Sequence, residues 1–337
     1  MSEAGKLAAV SGQAAPEPRT IGQRLAPLLH KYGWLPVGVL LVVLVVMFSV
    51  LSPYFLSVQN ISSILQAVSV MLIVATGMTL VLIGGGIDLS VGSTAVLSST
   101  ILAVLLRDYG IDALPLALAA ALGSGLAVGL INGVVVGLLG VNPLIMTLGM
   151  MMAVRSIAEL ISFGIVSGLP PQFGSFFNTP VAGLVPPYVL MAAAVAVVGS
   201  ILLQQTVFGA NLRGVGTNPK AAAYIGIPVR RYRITVYALN GVLAALAGVV
   251  LVGRTSAATT GALVGFELYV IAGIIIGGTS FLGGRGSIIG TVIGVLMIGV
   301  INNGMNLARI DPFWQQVVQG AIILAAVFFD ARRGSAK

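Results

Sequence analysis

The 337 residues contain no cysteine and one histidine, and only 8% of them carry a charge. The first absence excludes disulfides and thiolate metal centres. With His30 alone near the N-terminus, there is no histidine cluster for a metal and no histidine-based catalytic triad. The scarcity of charge excludes most: soluble domains carry roughly 25% charged residues. A chain that is 58% hydrophobic, with a mean hydropathy of +1.07, cannot cover itself with a wetted surface. No alternating strands recur as a barrel requires, so the expected class is all-α, a polytopic membrane protein. The phosphate-cradling pattern Gly-x-x-x-x-Gly-Lys-Ser/Thr is also missing, so the chain cannot split ATP in that way. An intramembrane hydrolase would need an activated nucleophile with a base, and every lysine lies outside the apolar segments. No metal and no cofactor is expected.

What is present is a succession of apolar segments, each of a length that spans a bilayer. They fall near 34–51, 62–83, 89–106, 113–139, 143–163, 187–203, 235–253, 266–282, 287–305 and 313–329, which predicts about ten transmembrane helices. Some are expected to be broken or re-entrant, the glycine-rich 266–282 above all. Residues 1–33 read as a disordered cytoplasmic tail, 34–330 as the transmembrane domain and 331–337 as a C-terminal cytoplasmic tail. The net charge of +8 belongs to residues that flank apolar runs, where lysine and arginine set orientation and meet anionic lipid rather than nucleic acid. Placing the N-terminus inside puts thirteen basic residues on the inner side and three on the outer, so both termini are expected in the cytoplasm.

The loop 204–233 holds five basic residues and no acid. Within it, "NPKAAAYIGIP" carries the punctuation of a two-turn helix. Asn218 is a cap, Pro219 suits the first turn, Lys220, Ala221, Ala222, Ala223 and Tyr224 form the body, and Gly226 stops it. So short a helix is marginal in water and needs a surface to dock against.

Polar residues inside the apolar runs are the other candidates. "GGGIDLSVGS" places Gly84, Gly85, Gly86, Asp88 and Ser90 between two spans. An aspartate at the centre of a membrane helix costs about 2.5–3.5 kcal/mol on insertion scales. Glycines release the backbone at a helix end, so Asp88 either caps the next span or faces a polar route. Asn132, Asn142, Glu267, Asn302 and Asn303 are further pathway or bend candidates, the last two as interhelical hydrogen bonders. Arg155 and Glu159, four apart, are expected to pair on one helix face. Glu267 is expected to pair with Arg254 or to line the pore. A faint echo links "GGGIDLSVGS" to "GGTSFLGGRGS", as two related halves would.

The stretches "GIDLSVGS", "NPKAAAYIGI" and "GFELYVIAGIIIGGTSFLGGRGSIIGTVIGVLMIGVINNGMNL" resemble the permease subunits of bacterial ABC importers for monosaccharides, the ribose, xylose, arabinose and galactose group. The resemblance covers nearly everything after the N-terminal tail. It implies an inner-membrane homodimer, energised by a separate ABC ATPase subunit and fed by a periplasmic sugar-binding protein. Asn218–Gly226 then corresponds to the coupling helix that sits in a groove of the ATPase. Where the family usually has Tyr-Glu-Leu-Asp, this chain has Phe266, Glu267, Leu268 and Tyr269, which bears on sugar specificity. The alternative is an ion-coupled secondary transporter with Asp88 and Glu267 as proton or sodium sites.

Overall fold

The structure is a computed structural model and describes residues 34–183 and 185–335. The expected tail 1–33 lies outside the described residues, and so does His30. Thirteen α-helices make up about three quarters of the described chain. They are α1 Leu35–Leu51, α2 Val58–Ile83, α3 Val91–Tyr109, α4 Leu114–Gly137, α5 Pro143–Ser162, α6 Pro171–Asn178, α7 Pro187–Gln204, α8 Val207–Thr217, α9 Pro219–Tyr224, α10 Val229–Thr255, α11 Phe266–Ile276, α12 Ile288–Leu307 and α13 Pro312–Ser335. Two short strands, β1 Ile165–Val166 and β2 Ala258–Thr259, pair antiparallel. They tie the chain after α5 to the chain after α10.

Ten of these helices coincide with the ten expected segments; α6, α8 and α9 lie in the two long loops. Among the described residues, seven helices are long and apolar enough to cross a membrane: α2, α3, α4, α5, α7, α10 and α12. The count of about ten therefore stands only as an expectation. The 11 residues of α11 rise about 16 Å, against a hydrocarbon core of about 30 Å. By length it does not span, in line with the re-entrant expectation. The helix α13 runs on to Ser335, so residues 331–335 of the expected C-terminal tail are helical.

Proline and hydroxyl caps set the helix starts. Proline stands in the first turn of α4, α5, α7 and α9, where its missing N–H costs nothing. Ser57, Thr206 and Ser287 accept first-turn amides of α2, α8 and α12. The tightest packing joins α4 to α10. Gly125, Gly129 and Gly133 lie one turn apart on α4, and a Cβ at any of them would run into the backbone of α10 at Gly241, Tyr237 or Ile234. Spacing of small residues by four is how membrane helices bring their backbones together.

The echo between the two glycine-rich motifs has a counterpart in geometry. At the end of α2, Gly84 N donates to Leu80 O at 3.0 Å, Gly85 N to Leu82 O at 2.9 Å and Gly86 N to Val81 O at 3.0 Å. At the end of α11, Gly277 N donates to Gly273 O at 2.9 Å, Gly278 N to Ile275 O at 2.9 Å and Thr279 N to Ile274 O at 3.2 Å. The pivot is left-handed in both, with φ +77° at Gly85 and +90° at Gly278, a conformation glycine adopts without strain. The two breaks lie side by side: Gly284 N donates to Ile83 O at 2.9 Å, and the hydroxyls of Thr79 and Thr291 are 2.7 Å apart.

Candidate functional site: a carboxylate hub and a short-helix platform

After α2 ends, the chain turns at Gly84–Gly85 and turns again at Leu89–Ser90 before α3. Asp88 lies on that stretch, 2% exposed. Its Oδ1 accepts Ser90 N at 2.9 Å and the Ser90 hydroxyl at 2.6 Å. Its Oδ2 accepts Asn240 Nδ2 from α10 at 2.9 Å. Asn132 Nδ2 from α4 donates to the Ser90 hydroxyl at 2.9 Å and lies 3.5 Å from Asp88 Oδ1. Beneath, the Tyr237 hydroxyl donates to Ile87 O at 2.8 Å. A buried carboxylate is tolerable when its oxygens are hydrogen-bonded, and here neutral donors from the break, α4 and α10 supply that bonding. Asp88 is thus a junction between three elements. It captures the Ser90 amide two residues on, while the position directly before α3 is held by Ser90 itself.

The other expected pathway residues separate into different places. Glu267 lies in the first turn of α11, 8% exposed, where a Cβ on Gly92 would meet its Oε2 at 3.1 Å. Asn142 caps α5, accepting Leu144 N at 2.9 Å. Asn302 accepts Gln319 Nε2 at 2.8 Å, joining α12 to α13. Asn303 exchanges two side-chain bonds with Asn60 of α2, at 2.8 and 2.9 Å. These last two are helix-to-helix ties, as their residue type suggested.

The expected Arg155–Glu159 pair, and the pairing alternative for Glu267 with Arg254, are replaced by bonding to backbone carbonyls. Arg155 does not reach Glu159: its Nη1 donates to Thr260 O at 2.6 Å and Ala262 O at 2.9 Å, and its Nε to the Ser93 hydroxyl at 3.3 Å. The segment before α11 is irregular and leaves carbonyls without a helical partner, and a guanidinium with five donors satisfies several at once. Arg254 donates to Gln66 O at 3.0 Å rather than to Glu267. Among the described residues the one side-chain ion pair is Arg107–Asp108, at 2.7 Å.

The platform below the breaks is built by α8 and α9. Asn218 Oδ1 accepts Ala221 N at 3.0 Å, and Ile227 N closes on Ala222 O at 3.0 Å with Gly226 at φ +85°. The capping pattern legible in the sequence is therefore formed. Ala222 is 3% exposed and packs against the chain itself, whereas Tyr224 is 91% and Ile225 78% exposed. A partner surface would meet Lys220, Tyr224 and Ile225 rather than Ala222. At the end of α8, Gly216 sits where a Cβ would collide with Ile83 O and lie 2.7 Å from Gly284 N. Arg213 Nη1 donates to Gly286 O at 3.0 Å. Burial lowers the pKa of Arg213, yet a guanidinium remains charged under physiological conditions. One turn of α8 thus touches the end of α2 and the glycine-rich connection from α11 to α12.

Sequence reading missed Asn240, Tyr237, Arg213 and Gly216. Asn240, a lone amide in the run "YALNGVLAALAG", carried the available signal, since an isolated amide in an apolar span calls for a buried partner.

A sequence model of the family described as "Branched-chain amino acid transport system / permease component" matches residues 60–327. Among curated relatives, the ribose import permease protein RbsC of Bacillus subtilis (strain 168) is 39% identical over 320 residues, covering 93% of this chain and 94% of the relative. The D-allose transport system permease protein AlsC of Escherichia coli (strain K12) is 40% identical over 293 residues, covering 86% and 89%. The L-arabinose transport system permease protein AraH of the same strain is 37% identical over 310 residues, covering 91% and 92%. No solved structure matches the chain.

Proposed function

Because this chain belongs to the branched-chain amino acid transport system / permease component family, we propose that it is the membrane subunit of an ABC importer that moves a monosaccharide, pentose or hexose, across the bacterial inner membrane. The permeases named for ribose, allose and arabinose support the sugar class. In this reading α9 faces the cytoplasm, both termini lie there, a separate ATPase subunit docks on Lys220, Tyr224 and Ile225, and a periplasmic binding protein delivers the sugar.

The observation that carries the proposal is the close approach of Gly216 to the end of α2 at Ile83 and to Gly284 in the α11–α12 connection. A push on α9 passes along α8 to Ile83 and Gly284 without crossing a compressible layer of side chains. The breaks lead to α3 and α12, and Asp88 links the first of them to α4 and α10. ATP-driven closure of the ATPases is therefore converted into movement of the helices around the polar centre.

The test exploits the absence of native cysteine. Tyr224→Cys, paired with a cysteine series in the ATPase groove, is expected to crosslink in inside-out vesicles, and nucleotide should change the yield. Labelling of the introduced thiol from the outer face of intact cells would sink the orientation. A second copy of the chain completes the transporter, since a pair of ATPases offers two grooves and each permease one α9. The mass of the detergent-extracted complex is expected to contain two copies of this chain; one copy beside two ATPases would exclude the homodimer.

A further inference from the structure

At the α9 end of the bundle lies a cavity of about 150 Å³, enough for about five waters. Five segments wall it: the end of α2 with its break at Gly84–Gly86, α4 through Val136, the α4–α5 connection at Val141 and Asn142, the start of α5 at Pro143, and α10 through Arg233 and Tyr237. Neither the hub nor the α8–α9 platform accounts for it. Tyr237 forms the boundary with the hub, its hydroxyl already committed to Ile87 O at 2.8 Å.

The chemistry of the wall is one-sided. No carboxylate lines the cavity. Arg233 has no side-chain hydrogen bond and no ion pair among the described residues, although it is only partly exposed. The Asn142 oxygen is used on Leu144 N, which leaves its amide nitrogen as a donor. The positive end of the α5 dipole falls at the same wall. A guanidinium and an amide donor lining one cavity, with no acid among the lining residues, suit a planar or tetrahedral oxyanion, and arginine pairs with phosphate through two parallel bonds.

We propose that this cavity binds a phosphate group on Arg233, carried either by an anionic lipid headgroup or by a small soluble phosphomonoester. The volume holds a phosphate with a small organic body beside it. An occupant would join α10 to the α4–α5 connection and rest against Gly84–Gly86, the break that Gly216 also approaches. It would therefore restrain the same elements that transport has to move.

The chain has no cysteine, so Val141→Cys introduces a single reporter at the rim. The full-length protein in phosphatidylcholine nanodiscs is reacted with a water-soluble maleimide, with inorganic phosphate, glucose 6-phosphate or glucose added, and separately in discs containing phosphatidic acid. A phosphate source is expected to slow labelling at least fivefold and saturably. Arg233→Gln should abolish the protection and Arg233→Lys should keep part of it. Protection by soluble phosphate or glucose 6-phosphate assigns the site to a phosphomonoester; protection by phosphatidic acid alone assigns it to lipid. The proposal is overturned if no phosphate source protects, if protection survives Arg233→Gln, or if glucose protects as well as its phosphate. Arg233→Lys and the ligand titration on the parent remain decisive should Arg233→Gln not fold. Transport is not read, so failure here leaves the importer assignment standing.

Discussion

Gly216→Val is expected to cut sugar uptake more than tenfold while the assembled complex continues to hydrolyse ATP. A branched side chain at this position cannot coexist with Ile83 O and Gly284 N, so the end of α8 must back away from the two breaks. In the proposed importer the ATPases would still close on α9, but their movement would reach α2 and the α11–α12 connection late or not at all. The control lies two residues away. A Cβ at Gly214 would meet only Ile227 Cδ1, at 3.7 Å, so Gly214→Ala is expected to transport normally. The measurement is initial uptake in proteoliposomes beside ATPase rate, both normalised to assembled complex. Normal uptake by Gly216→Val, or equal damage from Gly214→Ala, would break the proposed line of force.

The second large effect concerns Asp88. Leucine there strips the acceptor from Ser90, Asn132 and Asn240 together. Each buried donor left unsatisfied costs about 1–3 kcal/mol. Asp88→Leu is expected to lose uptake by more than tenfold and to lower the melting temperature of the complex. Asparagine keeps one oxygen for Ser90. Its new amide group can be met by Asn240, whose Oδ1 has no partner, through rotation of that amide. Asp88→Asn is therefore expected to retain uptake within a few-fold of the parent. An ion-coupled carrier predicts otherwise, since its titrating group would be lost in both variants. Equal and complete loss with normal assembly would argue for a charge-dependent role.

The sequence carried the helical class, the positions of the long helices and the capped helix α9, because each rests on local rules: apolar run length, proline in the first turn, an asparagine cap, a glycine stop. It also carried the bend at Gly84–Gly86. It did not carry the partners of the polar residues. Arg155 and Glu159 stand four apart on one helix, and local spacing favours their pairing. The guanidinium instead goes to carbonyls more than a hundred residues away, because an irregular backbone within a membrane protein leaves acceptors that must be bonded. Asn240 went unnoticed for the same reason, as its role depends on Asp88 arriving from a distant turn. The helix α8 was missed because glycine is a poor helix former, yet Gly216 in "GANLRGVGT" is what lets it lie against Ile83 and Gly284.

The glycine row on α4 also limits the kind of movement open to this protein. Helices that slide past one another do so by exchanging side-chain rotamers in the layer between them. Between α4 and α10 that layer is nearly absent, since the backbone at Gly125, Gly129 and Gly133 rests directly on Gly241, Tyr237 and Ile234. Such a pair has no intermediate register to occupy. It should rock as one strut, carrying Asn132 and Asn240 together, and the switch between states must then be made by hinges at its margins rather than by shear through its centre.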